Sequence, residues 1–215
     1  MLALGCREQQ RENQPQVSVA AASSTESPNP SSDALVMTYA GPRIDVDSSI
    51  SEPRLDVRDK TYVLLLPSAA ASLLFDSLPA FVPTQLAAYP AVETPVITYL
   101  HADVELPSIL IGDFNADSKR DVALSGRSGR RTATVMLLSK ADSLTAPRIL
   151  FLNREEFADG AIPYLGLLHA HQLNDPYEVA PDLHTDAVQR VVQYKSSVVY
   201  YLENGVVKSY THSGD

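Results

Sequence analysis

The sequence predicts a mainly β protein with a short helix ahead of the strands. The strands form two successive antiparallel groups, blade-like or sandwich in arrangement. Three observations carry this. From residue 107 onward, short apolar and β-branched runs alternate with polar turns: "SILIGDF", "DVALSG", "TATVMLLS" and "RILFLN", then "IPYLGLLHA", "DAVQRVVQY", "SSVVYYLE" and "VVKSYTH". Asn204-Gly205 separates the last two runs and suits a type I′ turn, whose central residues both need positive φ. Ahead of these lies one segment with helical spacing, "PSAAASLLFDSL", opened by Pro67 and closed by Pro79, with Leu73, Leu74 and Leu78 as its apolar stripe. A full propeller, with roughly four or more blades of about four strands, needs a longer chain than 215 residues.

The chain opens with "MLALGC" and continues into a stretch rich in Gln, Ser, Pro and Asn. Residues 7–36 are too poor in large apolar side chains to offset their chain entropy and read as a flexible linker, with a reach of roughly 30 Å. A small apolar run, a glycine, the sole cysteine and a polar tether resemble the end of a bacterial lipoprotein signal peptide. That resemblance implies a signal remnant over residues 1–6, lipidation at Cys6, and an exported domain held at the cell envelope or released as a periplasmic or secreted protein. "ALGC" departs from the family pattern, with Ala where Leu is usual and Leu where a small residue is usual. The alternative is a cytoplasmic protein with a chance cysteine.

Residues 37–215 then read as one globular domain: a helix and Pro-rich part over 37–106, a first strand group over 107–154, and a second over 155–215. "KTYVLLL", at 60–66, reads as a short buried strand before the helix. The net charge of −9 disfavours a nucleic-acid binder. The basic cluster Arg127, Arg130 and Arg131 reads as a solvated hairpin tip. One cysteine excludes an intramolecular disulfide, and no apolar run is long enough to span a membrane as a helix.

The most informative stretch is "ILIGDFNADSKRDVALSG", residues 109–126. Counting from Asp113, oxygen-bearing side chains fall at positions one, three, five and nine: Asp113, Asn115, Asp117 and Asp121. Lys119 sits at position seven, where a backbone carbonyl serves as well as a side chain. A hard cation such as Ca²⁺ takes about 6–8 oxygens, and alternating Asp and Asn in a tight loop can aim several at one point. An EF-hand is excluded, because Leu124 stands where that loop needs Glu and the flanks are strands. The competing reading is an Asx-rich turn, whose side chains bond the nearby backbone and need no metal.

The pattern resembles the calcium loop of FG-GAP and VCBS-type repeats, matching at Gly112, Asp113, Phe114, Asn115, Asp117, Asp121 and Val122. It departs at Ala116 and Ser118, where the family prefers glycine; if Ser118 adopts positive φ, the strain is roughly 1–2 kcal/mol. The resemblance covers about residues 107–140 and implies a structural Ca²⁺ held by Asp113, Asn115, Asp117, the Lys119 carbonyl and Asp121. A fainter likeness, to uncharacterised bacterial secreted proteins, rests on Leu183 to Asp186, Val198 to Tyr201, Asn204-Gly205 and Tyr210. It implies no particular activity.

A second constellation is "HAHQLND" with "PDLHTD". His169 and His171 fall on one face of an expected strand, and with His184 and the aspartates Asp182 and Asp186 they are candidates for a Zn²⁺ or similar site. This supports an alternative function, a metal-dependent hydrolase using His169, His171 and His184. Signatures of the common nucleophiles are missing: there is no G-x-S-x-G, and Cys6 lies in the tail. Tyr194, Tyr200, Tyr201 and Tyr210 are candidates for a stacking strip or for cross-strand packing. Together these features point first to a non-catalytic domain with one calcium site and a protein or glycan partner, in contact with membrane only through a lipid anchor.

Overall fold

A computed structural model describes residues 40–59, 61–85, 88, 106–139, 146–156, 162–171, 173, 180–192 and 197–212. Cys6, the leader 1–6, the linker 7–36, most of the Pro-rich stretch and Tyr194 lie outside the described residues. Among the described residues, twelve strands are arranged in three sheets. The first holds β1 (Ala40–Val46), β2 (Arg54–Arg58) and β3 (Thr61–Leu66), in the order β1-β3-β2. After the helix α1 (Ser68–Ser77), a second sheet is built from β4 (Val82–Pro83), β5 (Ile109–Gly112), β6 (Asp121–Ser128), β7 (Arg131–Leu138) and β8 (Arg148–Glu156). The third is an antiparallel run of β9 (Tyr164–Leu168), β10 (Ala187–Val191), β11 (Ser197–Glu203) and β12 (Val206–His212).

The second sheet is the middle layer, and period-two alternation explains how it serves both sides. Ala133, Val135 and Leu137 of β7 join Val122 and Leu124 of β6 in a core with Tyr62, Leu64 and Leu66 of β3 and Leu74 and Leu78 at the helix. The intervening Met136 and Leu138, with Ala123, face Leu165, Val188 and Tyr200 of the third sheet. A strand buried on both faces reads as a continuous apolar run, which is why "TATVMLL" shows no alternation. A third, smaller cluster (Leu183, Ala187 and Val199, with Tyr201 and Tyr210 packed on it) covers the other face of the third sheet. Of the tyrosines that are candidates for a stacking strip or for packing, Tyr200 packs in the second cluster and Tyr201 and Tyr210 on the third.

The fold is mainly β with one short helix among the described residues and is not a full propeller, as the sequence predicts. All eight strands expected after residue 107 are present. Asn204 and Gly205 take φ of 53° and 74°, as the type I′ hairpin requires. Pro67 occupies the N-cap one residue before Ser68, and its carbonyl accepts the Ala71 N–H at 3.0 Å. The difference lies before the helix. The sequence reading has one strand there, and the structure has three, with β1 pairing parallel to β3. β1 and β2 escaped notice because "AGPRIDV" and "RLDVR" are polar edge strands with exposed valines, Val46 and Val57.

Candidate functional site

The acidic loop joins β5 to β6, which pair antiparallel with Gly112 opposite Asp121. Phe114, with no exposed surface, plugs the loop into the core between the second and third sheets. Gly112 is fixed by close approach: a Cβ there would lie 2.9 Å from Asp186 Oδ2 and 3.1 Å from the Phe114 ring. Beyond that plug the loop folds on its own side chains. The Asp117 N–H donates to Asp113 Oδ1 (3.1 Å) and Asn115 Oδ1 (3.2 Å), and the Ser118 N–H donates to Asp113 Oδ2 (2.9 Å). The Lys119 N–H donates to Asp117 Oδ1 (2.8 Å), and Asn115 Nδ2 to Asp117 Oδ2 (3.0 Å). Ala116 and Ser118 both have positive φ, 58° and 62°, at the two positions where the resembling loops carry glycine.

Asp121 differs from the other loop carboxylates. It is fully buried, and its two oxygens accept the Phe114 N–H at 3.0 Å and the Ser139 N–H at 2.6 Å. Burial pushes its carboxyl up to about 7, against the pull of those two donors, and the neighbouring Asp117 and Asp113 push the same way as burial. A cation beside it would relieve both effects.

Three residues outside the loop hold it in place, and none of these roles is visible in the loop's own spacing. Glu52, in the β1–β2 connection, pairs with Lys119 Nζ at 3.3 Å and accepts the Arg120 N–H at 3.2 Å. The Lys119 side chain is thus committed outward, leaving its carbonyl as the group available to an ion. Ser139, just past β7, donates its hydroxyl to the Arg120 carbonyl as well as its N–H to Asp121. Asp186 makes a reciprocal pair with the loop: the Asp113 N–H donates to Asp186 Oδ2 (3.0 Å), and the Asp186 N–H to the Asp113 carbonyl (3.2 Å).

The histidines are arranged otherwise than expected. β9 ends at Leu168, opposite Ala187, so His169 and His171 lie beyond the ladder and do not share a strand face. His171 sits in a turn at φ 62°. His169 Nδ1 pairs with Asp186 Oδ1 at 3.0 Å, which ties it to the acidic loop's anchor. His171 and His184 gather around Asp182, with Nδ1 to carboxylate distances of 2.8 and 3.9 Å. His171, Asp182 and His184 each offer a ligand atom within 4.8 Å of the others, and this is the trio of His and carboxylate groups that closes so tightly among the described residues. Asp182 thus takes the place that the sequence reading gave to His169. The loop's own carboxylates accept instead from backbone N–H groups and, at Asp117 Oδ2, from the Asn115 amide.

Asn115 of the acidic loop and Asp182, His184 and Thr185 of the histidine segment line one cavity of about 330 Å³, together with Tyr201 and Glu203 of β11. The Arg127, Arg130 and Arg131 cluster lies exposed at the tip of the β6–β7 hairpin, where Gly129 has φ 61°. No family model matches the chain, and neither a curated protein nor a solved structure matches it significantly.

Proposed function

We propose that this chain is a non-catalytic, exported β-rich domain whose acidic loop holds one structural Ca²⁺. Its role is binding or accessory, at the bacterial cell envelope, toward a protein or glycan partner. The observation that carries the reading is the place of the loop in the fold. Residues 113–121 join two strands of the central sheet and are tied by Glu52, Ser139 and Asp186 to three other parts of the domain. An ion held by Asp113, Asn115, Asp117, the Lys119 carbonyl and Asp121 would lock that junction, which is a structural role. The donor set supports a hard cation: three carboxylates and an amide oxygen sit in one loop, with a buried carboxyl among them that is destabilised as an anion. Cys6 would carry the lipid that tethers the domain.

The hydrolase alternative is weaker, because His169 is engaged with Asp186 and joins the loop's scaffold. Two measurements test the main reading. Thermal melting with millimolar Ca²⁺ should raise Tm for the wild type and leave Asp113→Ala unmoved; equal shifts in both would refute the loop as the site. Incorporation of labelled fatty acid should be lost in Cys6→Ser; incorporation by neither protein removes the anchor from the proposal.

A further inference from the structure

We infer that His171, Asp182 and His184 form a second metal site, selective for a transition ion of the Zn²⁺ type and separate from the calcium loop. The inference does not rest on the calcium reading, since the two residue sets do not overlap. Two imidazoles and one carboxylate are an N/O donor set that suits Zn²⁺ and its neighbours, whereas Ca²⁺ prefers oxygen alone. The ligand atoms already lie within 4.8 Å of one another. Two ligands on one tetrahedral Zn²⁺ sit roughly 3.4 Å apart, given bonds of about 2.0–2.2 Å, so closure needs a movement of at most about 1.4 Å. All three side chains are exposed and can make that movement without repacking a core.

The backbone has already brought the two ends of the β9–β10 connection together. The His171 N–H donates to the Leu183 carbonyl at 3.0 Å, and Leu183, with 1% exposure, is anchored in the third cluster. This places His184 and Asp182 on either side of a fixed point, opposite His171. His171 holds a left-handed backbone that carries a strain cost for most residues, and the conformation turns its ring toward the Asp182 carboxylate. The rings of His171 and His184 meet edge-on, with centroids 6.1 Å apart and planes at 75°, so both present to the same carboxylate without stacking. Three protein ligands leave one position of a tetrahedral ion for water or an exogenous ligand, beside the cavity that Asp182 and His184 help to line.

The test is a calorimetric titration of the full chain with ZnCl₂, in excess Ca²⁺ so that the acidic loop does not compete. One Zn²⁺ per chain is expected. Losing an outer partner of a metal ligand already weakens binding by roughly 10–100-fold, so His184→Ala and Asp182→Asn should weaken it at least about tenfold. His171→Asn, which tolerates the left-handed backbone, should do the same without disturbing the turn. His169→Ala should bind Zn²⁺ like the wild type. The proposal is overturned if the wild type binds no Zn²⁺, if His184→Ala and His171→Asn both retain full affinity, or if His169→Ala loses as much as they do.

Discussion

The acidic loop and the β9–β10 connection both carry polar side chains to the same cavity, Asn115 from one and Asp182 and His184 from the other. In the loop, the side chains come from the single stretch 113–121 and accept mostly from that stretch's own backbone N–H groups, with the Ser139 N–H reaching Asp121 from outside it. In the connection, His171 and His184 come from opposite ends and meet side chain to side chain around Asp182. The first arrangement is local, half-buried and dense in negative charge. The second is exposed and assembled by strand pairing. Asp186 is where they touch, accepting from the Asp113 N–H with one oxygen and pairing with His169 through the other.

The largest expected effect lies in the buried part of the loop. Asp121→Ala leaves the Phe114 and Ser139 N–H groups without their acceptor, and should cost roughly 2–5 kcal/mol in urea denaturation at pH 5. A loss below about 1 kcal/mol would mean that the two N–H groups find other partners and that the loop is not held from within. The same residue sets a pH dependence. Burial pushes its carboxyl up to about 7 in the folded chain, from the ordinary 3.8 that it keeps when unfolded. Folding therefore binds a proton between these values, so the stability from Asp121 is fully present below 3.8 and is lost as pH rises through about 7. In calcium-free buffer, Tm should fall across that window more in the wild type than in Asp121→Asn. Calcium should bind more weakly below pH 7, with proton release measurable by calorimetry in buffers of different ionisation heat.

The junction between the regions comes next. Asp186→Ala removes the acceptor of the Asp113 N–H and should cost about 1–2 kcal/mol while also weakening calcium binding. His169→Ala removes a partly exposed pair and should cost about 0.5 kcal/mol. Equal costs would show that Asp186 serves the histidine rather than the loop. Relief of strain is smaller and of opposite sign. Ser118 has φ 62°, so Ser118→Gly should stabilise by about 0.5–1 kcal/mol, after the entropy of glycine is set against the strain. The smallest effect is at Lys119, whose ammonium meets Glu52 near the surface. Lys119→Ala should change stability by less than about 1 kcal/mol and leave calcium affinity unchanged, since only its carbonyl is assigned to the ion.

The contrast also explains what could be read from the sequence. The positions of Asp113, Asn115 and Asp117 in one loop, with Asp121 opening the next strand, follow from their spacing, as do the flanking strands and the hairpin at Asn204-Gly205. The strand run after residue 107 was legible because turn residues punctuate it, even where "TATVMLL" loses alternation to double-sided burial. What the spacing could not show is contact over long chain distance. Glu52 and Asp186 reach the loop from distant positions, and nothing in either neighbourhood marks them as its anchors. Alternation placed His169 and His171 together on the assumption that the strand continues. The ladder stops at Leu168, and the turn at His171 sends the two rings to different aspartates. β1 and β2 were missed for a related reason: edge strands with exposed polar faces carry too little apolar pattern.

Isothermal titration with CaCl₂ on the wild type and Asp113→Ala tests the central claim most directly. The expected result is one Ca²⁺ per wild-type chain, with a Kd of about 10⁻⁴–10⁻³ M as in extracellular calcium modules, and no binding to the variant. No heat and no Tm shift for the wild type at millimolar Ca²⁺, or unchanged binding in Asp113→Ala, would contradict it and leave the loop an Asx-rich turn.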